Sequence, residues 1–421
     1  MFNKTTLDNG LRVITKKLEG TNAVTVLIFV AAGSRYENKK NNGIAHFLEH
    51  MFFKGGKRYK NTKEVSGTID GIGGDFNAFT GKEYVGYYVK VAREKMDTAM
   101  DVLSDMMMNA TFNPVEIDKE RGVILEELNM YQDTPMYQVG WNFEGLVFGD
   151  QPIGWDQIGT KELIRTVTRD DFKRYQRDLY TPDNVVITVT GNIEHDEIVE
   201  IIKKMLPFSD GKRAYEPLPF KPVGVLKKTH IVNKKTEQAH IVCGFEAYHN
   251  DHPDKYAEKL LAVILGGNMS SRMFLHVREQ KGLSYYIKTS TDFYKDTGVI
   301  STGAGVDVNR IKLAVEAIIE EYKSITEEDV PAGELKKAKD YLKGKMTLRL
   351  EDTEEYAYLI AQQELLQNEV KTLEEIFAEI DKVTAAQVRR VAVDLFKEDK
   401  FRLALIGPCE NPKELEDALK F

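Results

Sequence analysis

The sequence predicts an α+β protein built from two consecutive copies of one unit, and three observations predict it. Hydrophobic patterning runs through strands, helices, strands, helices and a final strand, and then repeats that order. The two passes are separated near mid-chain by PFSDGKRAYEPLPFKPVGVLK (207–227), with prolines at 207, 217, 219 and 222. A chain of 421 residues with 42% apolar and 29% charged residues is ordinary globular material, too long for one core. The resulting division is 1–210, a linker at 211–227, and 228–421. Each half is an α+β unit of roughly 200 residues.

The elements follow in order. Asn9-Gly10 sits just before an alternating run, the strongest short hairpin signal. The stretch 24–32 is almost continuously apolar and reads as a buried strand; it is about half the ~20 residues a membrane span needs, so no span is expected. Helices are expected over 42–53 and 61–72, and KEYVGYYVKVA (82–92) is a strand by its β-branched and aromatic content. Helices at 93–109, 114–133 and 134–148 follow, the second opened by Pro114, then a strand at 184–190 and a helix at 194–205. The second half gives a strand at 238–247, helices at 252–267 and 270–281, and strands at 284–291 and 297–304. Helices at 308–325, 332–351, 353–368 and 383–396 precede a last strand at 401–406.

Composition excludes some functions. With 58 Lys+Arg against 66 Asp+Glu the net charge is −8, which argues against general nucleic-acid binding but leaves room for a cleft that takes basic ligands. Cys243 and Cys409 are too few for a disulfide framework or a Cys-rich zinc finger. The start, MFNKTTLDNGLRV, lacks a charged region followed by an apolar one, so a cytoplasmic protein with two buried thiols is expected.

The chemistry concentrates in two helical segments. His46 and His50 are one turn apart on one face of the 42–53 helix, a spacing that suits two imidazole ligands on one metal. Glu49 lies on the same side, within reach of a water at such a metal but poorly placed as a third ligand. The alternative is a pair of hydrogen-bonded surface histidines. A catalytic zinc needs a third protein ligand, and 114–133 offers one. In EIDKERGVILEELNMY the stripe Val123, Ile124, Leu128, Tyr131 includes Glu120 and Glu127, two turns apart, whereas Glu126 points to solvent. A carboxylate in an apolar stripe needs a compensating charge. Glu127 is therefore the ligand candidate, and Glu120 the partner that orients a histidine; salt bridges to Arg121 or Lys119 are the alternative. Gly71-Ile72-Gly73-Gly74 is not a dinucleotide loop, and Leu265-Gly266-Gly267 is not a P-loop.

His46-x-x-Glu49-His50, with Glu127 and the Glu120-Arg121 pair before it, resembles the pitrilysin-type, inverted-motif zinc peptidases, specifically the processing-peptidase-like subgroup with bacterial homodimeric members. The segments GGDFNAFT (73–80), LGGNMSSR (265–272) and REQKGLSY (278–285) extend the resemblance over essentially the whole chain. It implies two tandem homologous α/β-roll domains, each a mainly antiparallel sheet packed with helices. It implies one Zn2+ per chain held by His46, His50 and Glu127, with Glu49 as general base. By the same resemblance Arg278 and Tyr285 bind the substrate carbonyl, and Asn77 and Ala78 lie on the edge strand to which an extended peptide adds. Phe53 lies in the pocket beside the scissile bond. The implied function is a zinc endopeptidase cleaving short or unfolded peptides in a clamshell chamber. The short loop after Leu265-Gly266-Gly267 and the presence of both halves of the site in one chain suggest a homodimer. The alternatives are a catalytic subunit that needs a non-catalytic partner chain, and a non-proteolytic scaffold of the same fold.

Overall fold

The Asn9-Gly10 turn joins β1 (Asn3–Thr6) to β2 (Arg12–Lys17), which pair antiparallel. Gly10 has φ +92°, the left-handed conformation that a glycine adopts without strain, and Leu11 N–H is capped by Asn9 Oδ1 at 3.1 Å. The structure is a computed structural model that describes residues 2–224 and 228–419. The last residues of the expected linker, 225–227, lie outside the described residues.

The remaining strands of the first sheet are β3 (Ala23–Val30), β4 (Asp75–Thr80), β5 (Val85–Ala92) and β6 (Val185–Gly191), in the order β1-β2-β6-β3-β5-β4. The near-continuous apolar runs of β3 and β6 place them at the centre, buried on both faces. The second sheet holds β7 (Thr229–Asn233), β8 (Gln238–Ala247), β9 (Ser284–Phe293), β10 (Gly298–Asp307) and β11 (Arg402–Gly407), in the order β7-β11-β8-β10-β9. With β1 set aside, both sheets place the first, fifth, second, fourth and third strands of their unit side by side. Each sheet has one parallel pair, β2 with β6 and β7 with β11, and is otherwise antiparallel. The chain is two tandem copies of one α/β roll.

Two helices depart from a contiguous division at 211–227. One compact unit comprises Met1–Leu128, Asp156–Leu218 and Thr347–Thr372, the other Asn129–Trp155, Pro219–Met346 and Leu373–Phe421. The Pro135–Phe148 helix, from the first half of the sequence, buries Val139, Phe143 and Val147 with Val299, Ala404 and Ile406 of the second sheet. The Thr353–Gln367 helix, from the second half, buries Ala357 and Ala361 against Leu27 and Phe29 and Ile360 against Ile14 and Val186. Thr353 fixes that docking, its hydroxyl 2.8 Å from Thr25 Oγ1 and its carbonyl accepting from Thr190 Oγ1 at 2.6 Å. Both helices are apolar in part on several faces, so periodicity alone does not say which sheet they cover.

Five α-helices and strands lie outside those expected from the sequence. Helices Lys161–Thr166 and Arg169–Leu179 begin at Thr160 and Thr168, and Thr168 forms a capping box with Asp171. The short, half-buried β7 and the Leu373–Lys382 and Pro412–Ala418 helices belong to the second unit.

Candidate functional site

The Ile44–Phe52 helix carries the first ligand candidates. It starts at Gly43, whose φ is +103° and where a Cβ would lie 2.6 Å from Ile158 O and 2.7 Å from Gly159 Cα, so only glycine fits. The buried Glu37 carboxylate caps this start, accepting from Gly43 N–H (2.7 Å), Ala45 N–H (2.9 Å) and Asn42 Nδ2 (3.0 Å). A carboxylate at a helix N-terminus also opposes the positive end of the helix dipole. Ile44, Phe47, Leu48, Met51 and Phe52 form the buried face, each contributing about 1.5–3 kcal/mol. That burial turns His46, Glu49 and His50 to the opposite, partly open side.

The Pro114–Asp133 helix meets this side. Ile117, Glu120, Ile124 and Leu128 are its buried residues, and Glu127 is half-buried next to them. Val123 is 52% exposed and does not belong to the stripe expected of it. Glu126 is exposed. Glu127 Oε1 lies 3.7 Å from His46 Nε2 and Glu127 Oε2 3.6 Å from His50 Nε2. One ligand atom from each of the three residues falls within 4.8 Å of the others, the one such cluster found among the described residues.

Glu120 stands behind His50, its Oε1 2.9 Å from His50 Nδ1 and its Oε2 paired with Lys54 Nζ. Burial favours the neutral carboxyl, but the hydrogen bonds and charges of His50 and Lys54 outweigh it and hold Glu120 below the usual carboxylate range. An ionised carboxylate only accepts, so His50 Nδ1 is the donor of this hydrogen bond, and His50 Nε2 lies on the Glu127 side of the ring. Glu127 is likewise held low: burial opposes its ionisation, and His46 and His50 overcome that. Arg121 and Lys119 pair elsewhere, Arg121 with Asp118 and the Ile164 and Val167 carbonyls, Lys119 with Glu116.

These residues fit a zinc ion. Ligands about 2.0–2.1 Å from a tetrahedral ion stand roughly 3.4 Å from one another, close to the 3.6–3.7 Å spacing between histidine and carboxylate atoms. Two imidazoles and a carboxylate are the donor set of a hydrolytic centre that keeps a fourth position for water. Glu49 adjoins the cluster, one oxygen accepting from Thr80 Oγ1. Burial pushes its carboxyl upward, partly offset by that hydrogen bond and by His46 and His50.

Residues 12–144 match the sequence model described as insulinase (peptidase family M16), and 166–342 the one described as the peptidase M16 inactive domain. A Bacillus subtilis protein named as an uncharacterized zinc protease is 36% identical over 411 residues, covering 98% of this chain and 99% of the relative. The chain belongs to peptidase family M16. Its fold is similar to the crystal structure of a protease from Helicobacter pylori, with a TM-score of 0.91 and 25% identity over 97% of this chain and 99% of that one. A chain of complex III2 from Candida albicans shares the fold alone, at TM-score 0.85 and 18% identity over the full length of both.

In this M16 chain, β4 is a sheet edge, paired among the described residues with β5 alone, in a register that includes Asn77↔Tyr88 and Ala78↔Tyr87. Asn77 is exposed, and its Oδ1 accepts from Ala78 N–H at 2.9 Å. Phe53, just past the histidine helix, packs on Phe76 of β4 with ring centroids 5.8 Å apart. Arg278 and Tyr285 belong to the second unit. Arg278 lies on a π-helix, Phe274–Gln280, its guanidinium 4.5 Å from the Phe274 ring centroid. Such helices are rare and recur at functional sites. Tyr285 is the extra residue of a β-bulge, because Gly305 opposes Tyr286 and Val306 opposes Ser284. The bulge turns Tyr285 outward, 73% exposed. Neither the π-helix nor the bulge is readable from REQKGLSY, and Thr80, although it ends the GGDFNAFT segment, has no role assigned by that resemblance.

Proposed function

We propose that this chain is a zinc-dependent endopeptidase that hydrolyses short or unfolded peptides, and that His46, His50 and Glu127 hold one zinc ion per chain. The observation that carries this reading is the convergence of those three ligand atoms within 4.8 Å, with Glu49 on the histidine helix beside them. The names of M16 relatives as zinc proteases support it. Zinc, when bound, supplies Lewis acidity to a carbonyl and to an attacking water.

The chain's own residues do the rest. Glu49 takes the proton of the attacking water and delivers it to the leaving amine. Arg278 and Tyr285, by the family resemblance, donate to the oxygen of the substrate carbonyl as charge develops on it. The open side of β4 around Asn77 and Ala78 offers main-chain groups to an extended peptide, which favours unfolded over folded substrates. Phe53 and Phe76 form an aromatic wall at the same edge.

The assembly proposed is a homodimer enclosing a chamber, in the cytoplasm. Cys243 is a buried free thiol and Cys409 a free thiol that is half-buried rather than buried as expected, in keeping with a reducing compartment, and no helix among the described residues is long and apolar enough to cross a membrane. Size-exclusion chromatography of the purified chain, with activity assayed across the peak, separates a homodimer from a subunit that needs a different partner. An intact donor set argues against a pure scaffold, and Glu49→Gln tests the chemistry. The variant is expected to keep its zinc and to lose roughly 10²–10⁴-fold in cleavage of quenched peptides. Near-wild-type cleavage by the zinc-loaded variant refutes the general-base role.

A further inference from the structure

We infer that Thr80 is the positioning residue for the general base: its hydroxyl holds the Glu49 carboxylate in the orientation that accepts the proton of the attacking water. The inference rests on the proposed role of Glu49 and concerns how that role is achieved. Thr80 Oγ1 donates a short hydrogen bond to Glu49 Oε2. This is the one hydrogen bond Glu49 makes among the described residues, which leaves Oε1 for the water. A glutamate has three side-chain torsions, the last of them broad. Helical backbone alone therefore fixes the Cα of Glu49 and not the direction of its carboxylate.

Thr80 is itself held firmly. It is the last residue of β4, opposite Val85 in register, and the Gly81–Tyr84 turn that follows is closed by Gly81 N–H donating to Tyr84 O at 2.8 Å. Its neighbour Phe79 is wedged among Phe29, Tyr84 and Tyr358, with centroids 5.6–6.3 Å away. The space for that ring comes from Gly86, where a Cβ would stand 2.2 Å from Phe79 Cζ. A rigid hairpin end therefore presents the hydroxyl. Because β4 is also the open edge proposed to receive the peptide, one short strand links the substrate's backbone to the base. A peptide added along β4 would brace the residue that aims Glu49.

The test compares Thr80→Val, which keeps the shape and removes the hydroxyl, with Thr80→Ser, which keeps the hydroxyl. Both are measured as zinc-loaded protein with a quenched unfolded peptide, alongside zinc content after dialysis, thermal midpoint and Glu49→Gln as a control. Thr80→Val is expected to lose kcat by about 10- to 100-fold, a misaimed group costing up to ~10²-fold. Its KM, zinc content and midpoint are expected to stay near wild type, with Thr80→Ser restoring kcat to within about 3-fold of wild type. Wild-type kcat in Thr80→Val overturns the inference. So does equal loss in both variants, which marks packing rather than the hydroxyl, and so does loss of zinc or of folding in Thr80→Val while Thr80→Ser is as slow. An active Glu49→Gln instead overturns the reading of the base itself, so the two failures are told apart.

Discussion

Replacing Glu120 by Gln tests whether a buried carboxylate behind His50 sets the affinity of the metal centre. Glu120 is 5% exposed, with Oε1 on His50 Nδ1 at 2.9 Å and Oε2 on Lys54. Gln is nearly isosteric, and its amide oxygen still accepts from Nδ1–H. The charge disappears, and an amide N–H2 is left against the Lys54 ammonium. A hydrogen bond to a charged group contributes about 1.5–3 kcal/mol against about 0.5–1.5 for a neutral one. The difference of about 1–1.5 kcal/mol corresponds to roughly 10-fold weaker zinc binding, the lower end of the ~10–100-fold found when partners of metal ligands are changed. Competition of apo-protein with a chromophoric chelator reads this directly, with a thermal scan to show that the fold is retained. A zinc affinity within about 2-fold of wild type would mean that His50 is oriented by its own helix and that Glu120 serves only Lys54.

Glu127→Gln should release most of its zinc on dialysis while Glu126→Gln retains it, since Glu127 faces both histidines and Glu126 is exposed; elemental analysis decides, and equal retention in both removes Glu127 from the ligand set. Glu37 gives a pH signature. Burial pushes its carboxyl from 4.5 up to about 7, against the pull of the Ala45, Gly43 and Asn42 hydrogen bonds. A raised folded value means that the folded protein binds more protons than the unfolded chain between about pH 4.5 and 7. The contribution is then fully present below the unfolded value and lost as pH rises through the folded one, by at most about 3 kcal/mol. Glu37→Gln removes this titration, so its stability relative to wild type should rise between pH 5 and pH 8 in parallel denaturation curves. A constant difference across that range contradicts the assignment.

Local chemistry explains what is legible in the sequence. His46, Glu49 and His50 need only helical periodicity to share a face, and Glu120 and Glu127 need only two turns of one helix. The repeated unit shows itself as element order, and the matching strand orders of the two sheets, β1 aside, express the same repeat in space. Val123 marks the limit of that reasoning. An apolar residue next to Ile124 looks like part of a stripe, yet a helix rotates by about 100° per residue, and Val123 falls on the solvent side. The Lys161–Thr166 and Arg169–Leu179 helices carry local cap signals: Thr160 is an N-cap that accepts from Leu163 N–H, and Thr168 with Asp171 is a capping box.

The less legible features all depend on contacts between distant parts of the chain. Thr80 meets Glu49 across 31 positions, and a threonine ending a strand is ordinary in any sequence. The Tyr285 bulge arises from pairing with β10, where Gly305 leaves room for Tyr286: a Cβ there would lie 2.3 Å from the Tyr286 ring. The exchanged helices, Pro135–Phe148 and Thr353–Gln367, select their sheets through residues such as Phe143 and Thr353 whose partners lie in the other half of the sequence. One consequence bears on the metal centre. Glu127 sits at the end of the first unit, whose boundary falls after Leu128, within the same helix that continues to Asp133. The two histidines come from a short helix bound tightly into the first unit by its own apolar face and by Glu37. The third ligand candidate thus rides on a helix whose last turn belongs to the second unit. The position of Glu127 depends on the packing of Ile117, Glu120, Ile124 and Leu128, which anchor the helix on the first unit's side of that boundary. Glu120, buried in that anchor and hydrogen-bonded to His50, therefore ties one ligand candidate to the helix that carries another.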